Sequence, residues 1–494
     1  MNTLFASFEM SPLAKVGGLG DVAGSLPRAL RARGADVRVA MPMHGAIDRK
    51  KLDAEHLLSD VRVPWASGDQ RVDVWYTKVR GVPVYLVQDE HYFERPKVYG
   101  YDDDLDRTLF FCDALLASAH HLGFRPDVVH AQDWHAAMLL SRLSAMAHPW
   151  DAAGRVYTIH NLALQGNFDA GFARHYGIGA DELAVPAGLV ADIALSGMAQ
   201  GILHADRINT VSDTYAREIL TPEFGAGLDP LLRARAADLS GIVNGIDYEE
   251  FNPATDRALA QRFDAASLDA RIENKRALQR EMGLPVEDAV PLFGVVTRLF
   301  AQKGIDLVAE AFQRLLHGPD GPSGSPAQLV VLGTGDQVVH DQLTSLQGRY
   351  PRQVSIRIDF DPPLGQRIYG GCDCFLMPSR YEPCGLGQLI SLRYGAVPLV
   401  RRTGGLADTV EDVGAGLDTG TGFVFDDATA DALARCAQRA IDAYGDRGAW
   451  RAIQVRGMRQ DWSWDRAAGR YLDLYEEARA ARAGALARER EATA

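Results

Sequence analysis

From one end to the other this chain repeats a single pattern: short apolar runs rich in β-branched residues alternate with longer stretches of helical spacing. In the first half the runs are 4–9, 36–41, 127–130, 156–160 and 207–211. In the second they are 292–297, 328–333, 354–359, 374–378, 397–400 and 422–425. Several are continuously apolar instead of alternating, as strands buried on both faces are. Strand–helix alternation over such a length predicts an α/β protein with parallel sheets and right-handed crossovers.

At 494 residues the chain is too long for one ordinary core and reads as two α/β halves. The join falls within 241–253, where Asn244-Gly245 and Asn252-Pro253 are turn signals. We expect one domain over 1–243 and a second over 244–460. The Gly/Pro/Ser-rich stretch 318–326 interrupts a strand–helix series and reads as a surface loop. Near the end, Trp464, Ala468, Tyr471, Tyr475 and Ala478 recur at helical spacing and form one apolar face. They predict a helix over 461–480 that packs on a domain. The Ala/Arg/Glu-rich tail 481–494 is expected to be solvated, frayed or helical.

Charge and cysteine usage narrow the partners. A formal net charge of −13 argues against nucleic acid, whose phosphates need clustered Lys and Arg, and leaves a neutral polysaccharide open. No apolar run approaches the ~20 residues that span a bilayer, so no membrane partner is expected. The first residues lack the basic-then-apolar order of an export signal. The five cysteines (112, 372, 374, 384 and 436) are too sparse for a disulfide framework, and the expected location is cytoplasmic. Cys372-x-Cys374 has no second Cys/His pair at zinc-ligand spacing, so no metal is expected.

The polar motifs cluster just past predicted strands. Lys15-Val16-Gly17-Gly18-Leu19-Gly20-Asp21 follows the first, ahead of a helix expected from about Asp21 to Gly34. Bare backbone at Gly17 and Gly18 lets amides approach a phosphate, and Lys15 adds a charge, although tight turns need glycine too. Arg298-Leu-Phe-Ala-Gln-Lys303-Gly follows the strand 292–297. Two cations at a strand's carboxyl end can grip a diphosphate and stabilise its departure; a solvated loop with two stray charges is the plain alternative. Glu382-Pro-Cys384-Gly385-Leu386-Gly387 follows the strand 374–378. Its carboxylate can bind sugar hydroxyls while amides opening the next helix face a phosphate; a simple helix cap is the alternative. Arg401-Arg-Thr-Gly-Gly-Leu is again basic and glycine-rich. In the first half, Gln132-Asp133-Trp134-His135 and His160-Asn161 stand at strand ends, with N-capping or structural roles as alternatives for Asp133 and His160. There is no Gly-x-Ser-x-Gly elbow and no phosphate-loop lysine motif.

Together these motifs, with Thr210-Val-Ser, Asn244-Gly-Ile-Asp and Arg401-Arg-Thr-Gly-Gly-Leu-Ala-Asp-Thr-Val, resemble the glycogen/starch synthases, in order and from about Met1 to Tyr475. The resemblance implies a retaining glycosyltransferase with two Rossmann-like domains facing a deep cleft (the GT-B type). The acceptor glucan would sit mainly on the first domain, completed by the C-terminal helix crossing back to it. The nucleotide sugar, ADP-glucose by analogy with the bacterial form of the opening motif, would sit mainly on the second. Arg298 and Lys303 would stabilise the leaving diphosphate, with Lys15 and the Gly17-Gly18 turn at its phosphates. Glu382 would hold glucose hydroxyls, beside amides of Cys384, Gly385, Leu386 and Gly387. Asp133, His160 and Asn244 would line the sugar side, and Phe360 would stand near the base. No cofactor or metal is implied. Attack would come from the front face, with the His160 carbonyl steadying the cation-like sugar.

Two departures bear on rate and donor choice. Gly387 stands where the family usually has threonine, and Pro362-Pro363 lie in a stretch that usually carries an acidic residue and a histidine. Competing expectations are a related transferase with another nucleotide or a small acceptor, and a catalytically weak glucan-binding protein.

Overall fold

The computed structural model describes residues 1–145, 148–317 and 324–493. It divides into two compact units, Met1–Asn244 with Trp464–Ala494, and Gly245–Ser463. The segment 318–323 of the expected surface loop lies outside the described residues.

The first unit carries a nine-stranded sheet. Its strands are β1 (Asn2–Ala6), β2 (Asp36–Pro42), β3 (Ala54–Val63), β4 (Gln70–Val79), β5 (Val82–Gln88), β6 (Val128–Gln132), β7 (Gly154–Ile159), β8 (Arg207–Thr210) and β9 (Leu239–Gly241). The order is β3-β4-β5-β2-β1-β6-β7-β8-β9. From β5 to β9 every pairing is parallel. The β1, β6 and β7 strands are buried almost throughout, in keeping with their continuous apolar runs. The parallel pattern misses β3 and β4, an antiparallel extension whose outer strand is mostly solvent-facing and bears register shifts. Half of its residues are polar and break up the apolar ones, so it carries no buried-strand signal.

The second unit has six strands, all parallel: β10 (Leu292–Val296), β11 (Gln328–Gly333), β12 (Val354–Ile358), β13 (Cys374–Met377), β14 (Val397–Arg401) and β15 (Phe423–Phe425). Their order, β12-β11-β10-β13-β14-β15, is the 3-2-1-4-5-6 arrangement of a doubly wound Rossmann sheet. All five cysteines are free and buried; burial pushes the Cys372 thiol up to about 12, as expected of packing residues.

The C-terminal helix runs Trp464–Thr493, starting after 461 and continuing without a break past 480. Trp464, Ala468, Tyr471, Tyr475 and Ala478 are all buried in the first unit. A polar chain fixes the helix beneath β6, β7 and β8. The Tyr475 hydroxyl lies 2.8 Å from His130 Nδ1, and His130 Nε2 lies 2.6 Å from Thr158 Oγ1. Thr158 Oγ1 donates to Asn209 Oδ1 at 2.6 Å, and Asn209 Nδ2 donates to the Tyr471 hydroxyl at 3.2 Å.

Candidate active site

Open α/β sheets bind ligands at strand carboxyl ends where the strand order reverses. In the second unit that reversal lies between β10 and β13. The loops leaving these two strands are bound to each other. Arg380 donates to both Asp306 oxygens, Nη1 to Oδ1 at 2.8 Å and Nη2 to Oδ2 at 2.6 Å, and Nη1 also reaches the Ala301 carbonyl at 2.5 Å. Its amide donates to the Gln302 carbonyl at 2.8 Å. The guanidinium holds the Asp306 carboxyl below the usual carboxylate range, against the opposing effect of burial. Gly304 permits the close approach: its φ is +66°, and a β-carbon there would lie 2.1 Å from the Pro378 carbonyl oxygen.

This brace brings Lys303 to Glu382. Lys303 Nζ donates to Glu382 Oε1 at 2.8 Å and Oε2 at 2.6 Å, and Ser379 Oγ adds a bond to Oε2 at 2.9 Å. Glu382 is only 5% exposed, so the pair is a desolvated, charge-assisted one. Arg298 lies on the same loop, exposed, with its guanidinium 5.8 Å above the Phe300 ring and in no ion pair among the described residues.

The Arg401–Leu406 motif turns out to be a support. Arg401 spends its guanidinium on the carbonyls of Arg380 (2.5 Å) and Asp426 (2.8 Å), and Arg402 pairs with Asp426 at 2.7 Å. The amide of Gly405 donates to the Glu382 carbonyl at 3.1 Å. β-Carbons at Gly404 and Gly405 would each lie 2.0 Å from a carbonyl oxygen, that of Glu382 and of Cys384 respectively. Cys384, Gly385 and Leu386 form the turn into the helix Gly387–Arg393, with Cys384 buried and Gly385 at φ +76°. Phe360 follows the edge strand β12 and is 83% exposed. Pro362 and Pro363 open the helix Pro362–Gly371, where a missing amide hydrogen costs nothing, and Asp361 Oδ1 caps it by accepting from the Leu364 amide at 2.9 Å.

In the first unit the strand order reverses between β1 and β6. The amides of Val16 and Gly17 donate to Glu9 Oε2 at 2.6 and 2.9 Å, so the protein's own buried carboxylate occupies donors read as phosphate ligands. The helix also begins earlier than Asp21, at Gly18, because Gly17 in an extended conformation can act as its N-cap. Neither Gly17 nor Gly18 has positive φ, and a β-carbon on either would meet nothing within 4 Å. The fold does not demand glycine there, and the bare backbone leaves room for a ligand. Lys15 Nζ pairs with Asp21 Oδ1 at 2.6 Å, both side chains partly exposed.

After β6, Asp133 adopts φ +55°, a left-handed backbone unusual outside glycine. Its Oδ1 accepts from the His160 amide at 3.2 Å; burial pushes its carboxyl up to about 7, with the amides of His160 and Asn161 pulling it back. Burial also drives His160 and His135 down to about 3, so both rings are neutral at pH 7. His160 Nε2 donates to Gln132 Oε1 at 2.8 Å. Among the buried polar atoms without a hydrogen-bond partner among the described residues are Gln132 Nε2, His135 Nδ1 and Asn244 Oδ1, in or next to these strand-end motifs. Tyr99 and His135 stack at 4.7 Å.

Sequence reasoning missed Glu9 and Tyr99 here, and the Arg380–Asp306 brace in the second unit; His135 was part of a motif it singled out, without a role of its own. Glu9 carried a signal, a carboxylate at the end of a strand run. Tyr99 lies far from every strand end and carried none.

The first part of the chain, residues 2–234, matches the family model described as starch synthase catalytic domain, and residues 280–452 match glycosyl transferases group 1. A glycogen synthase of Moorella thermoacetica is 45% identical, with 98% of each chain covered. A glycogen synthase 2 of Geobacter sulfurreducens is 43% identical, covering 98% of this chain and 100% of that one. Among solved structures, the catalytic domain of starch synthase IV from Arabidopsis thaliana, bound to ADP and acarbose, superposes with a TM-score of 0.88 at 31% identity, over 97% of this chain and 99% of that one. A sucrose-phosphate synthase from Thermosynechococcus elongatus, at 17% identity and a TM-score of 0.60, shares the fold.

Proposed function

The chain belongs to the glycogen synthase family of glycosyltransferases, and from that premise we propose that its donor is ADP-glucose, its acceptor the non-reducing end of an α-1,4-glucan such as glycogen, and its outcome retention of anomeric configuration. The enzyme is a hexosyltransferase with the GT-B fold. The observation that carries the donor assignment is the Lys303–Glu382 pair at the β10/β13 reversal. A carboxylate fixed by a lysine and a serine presents acceptor lone pairs to glucose hydroxyls, while Lys303 and the exposed Arg298 offer positive charge where a diphosphate departs. The ADP bound to the Arabidopsis relative supports the choice of nucleotide.

In this reading the departing diphosphate takes the acceptor hydroxyl's proton, so the chain needs no metal and no cofactor. Amides of Cys384, Gly385, Leu386 and Gly387 meet its oxygens, Phe360 stacks near the base, and Lys15, beside the open backbone of Gly17 and Gly18, adds a cation to the phosphates. Asp133, Asn244 and the neutral His160 line the sugar, with the His160 carbonyl facing the positive charge that develops on it. Water is excluded during transfer, because donor hydrolysis is the competing reaction. Among the described residues no helix is long and apolar enough to cross a membrane, and the free, buried thiols suit the reducing cytoplasm, where we place the reaction.

The test is nucleoside-diphosphate release with glycogen as acceptor, comparing ADP-glucose with UDP-glucose on the native chain and on Glu382→Ala and Lys303→Ala. Rapid ADP release that collapses in both variants is expected. Preference for UDP-glucose overturns the nucleotide assignment, and release that survives both substitutions overturns the site.

A further inference from the structure

Gly387 departs from the threonine usual in the family, and the packing beneath it accounts for the glycine. A β-carbon at 387 would sit 2.9 Å from Phe375 Cε1, 3.4 Å from Phe375 Cζ and 3.2 Å from Met377 Sδ. The first distance is closer than non-bonded carbons approach. The ring has nowhere to retreat. Phe375 is 1% exposed and lies 4.7 Å from the ring of Tyr369, itself 6.3 Å from that of Tyr394. Tyr394 is anchored through its hydroxyl to Asp256 at 2.6 Å and through its carbonyl to Arg271 at 3.0 Å. Close-packed aromatic stacks of this kind resist added volume.

We propose that Phe375 is a positioning residue of the donor site, forming one steric unit with Gly387. The β13 ring fills the volume that a side chain at 387 would take, and it supports the start of the helix Gly387–Arg393 where the turn carrying Glu382 and Cys384 enters it. The inference rests on the reading of that turn as a donor contact. It settles how position 387 serves this chain: through its main chain alone, since a side chain there points into an occupied space. Threonine at 387 therefore does not add a hydroxyl contact; it pushes the turn away from the ring.

The test is a double-substitution cycle with Gly387→Thr, Phe375→Ile and the two combined. Steady-state kcat and KM for ADP-glucose and the thermal midpoint are read on each. Gly387→Thr is expected to lower kcat roughly 10²-fold, as small displacements of substrate-holding groups do, and to lower the midpoint. Phe375→Ile alone lowers both to a lesser degree. The double variant recovers most of both losses relative to Gly387→Thr, because the smaller side chain frees the volume. A native-like Gly387→Thr enzyme, or a double variant no better than Gly387→Thr, overturns the unit. A midpoint loss with kcat unchanged reduces it to packing and overturns the positioning role. Should Gly387→Thr fail to fold, Gly387→Ala carries the same cycle, since its methyl is the clashing carbon. The thermal arm needs no transfer activity: a native chain that releases no ADP sinks the functional reading while midpoint coupling still decides the steric unit.

Discussion

Each unit sets its polar groups at the reversal of a parallel sheet, yet the two sites are made differently. In the second, opposite charges satisfy one another: Lys303 holds Glu382, Arg380 holds Asp306, and Ser379 takes part of the carboxylate's remaining capacity. In the first, the central groups are neutral or close to it. Burial keeps His160 and His135 unprotonated and raises the Asp133 pKa to about 7, and Gln132 Nε2, His135 Nδ1 and Asn244 Oδ1 lack partners among the described residues, where the second site has Gln388 Oε1. Unpaired buried polar groups are rare in native proteins and call for an explanation. The contrast supplies one. On the roles proposed above, a site that handles a leaving dianion needs fixed charge organised beforehand, whereas a site for sugar hydroxyls can hold neutral donors and acceptors in reserve until the ligand satisfies them.

The largest predicted effect falls on the charged site. Lys303→Ala should lower kcat by roughly 10²–10³-fold or more, the scale of removing a preorganised group that stabilises transition-state charge. It also leaves Glu382 buried without its cation, a change that costs several kcal/mol in comparable pairs. Arg298→Ala removes an exposed cation that has no ion-pair partner among the described residues, so it should lose kcat without the accompanying loss of stability. Steady-state kinetics and thermal melts of the two variants separate charge stabilisation from folding. Equal destabilisation by both would break the distinction between the braced and the free cation.

The next effect reads the neutral site through pH. Asp133 has a folded pKa of about 7, above the ordinary value, so the native state keeps a proton that the unfolded chain gives up. That stabilisation is fully present below about pH 4 and is lost as pH rises through about 7. Asp133→Asn stays uncharged throughout. The stability of the native chain relative to the variant should therefore fall between about pH 4 and pH 7, by a few kcal/mol at most. A difference that is flat with pH would show that Asp133 is ionised in the fold, and the contrast between the two sites would lose its clearest member.

Much of this was readable in the sequence, and the reason is local. Lys303, Arg298, Glu382, Asp133 and His160 each lie within a few residues of a buried strand's end, so hydrophobic runs announce their positions. The brace between Arg380 and Asp306 was not readable, because its partners are 74 residues apart and meet only through the strand order. The same holds for Glu9, whose hold on the Val16 and Gly17 amides depends on how the loop folds back. The Arg401–Leu406 motif was visible but ambiguous: basic, glycine-rich residues at a strand end serve equally to grip an anion or to let two backbones touch.

The first site also depends on distant sequence in a way the second does not. Its sheet is held from below by Tyr475 and Tyr471 of the C-terminal helix, through His130, Thr158 and Asn209. Tyr475→Phe deletes one hydroxyl from this buried network and leaves His130 Nδ1 unpaired. A cost of about 1–3 kcal/mol in thermal or denaturant unfolding is expected. Kinetics should change less than in the Lys303 variant, since no group of either site is removed.

The smallest effect concerns Lys15, the one cation of the first unit assigned to the donor phosphates. Its partner Asp21 lies at 2.6 Å, with the two side chains 44% and 30% exposed. Partly exposed pairs of this kind contribute about 0–1 kcal/mol, because water and salt screen them and two side chains must be held still. Asp21 is thus a weak hold on a lysine that the donor must recruit. Asp21→Asn should leave the thermal midpoint nearly unchanged and lower the KM for ADP-glucose by a small factor, since the phosphates no longer compete with a carboxylate. Raising ionic strength weakens the native pair and should narrow the gap between the two enzymes. A higher KM in Asp21→Asn would mean that the carboxylate aims Lys15 and does not compete for it, and this cation would then belong with the braced ones of the second unit.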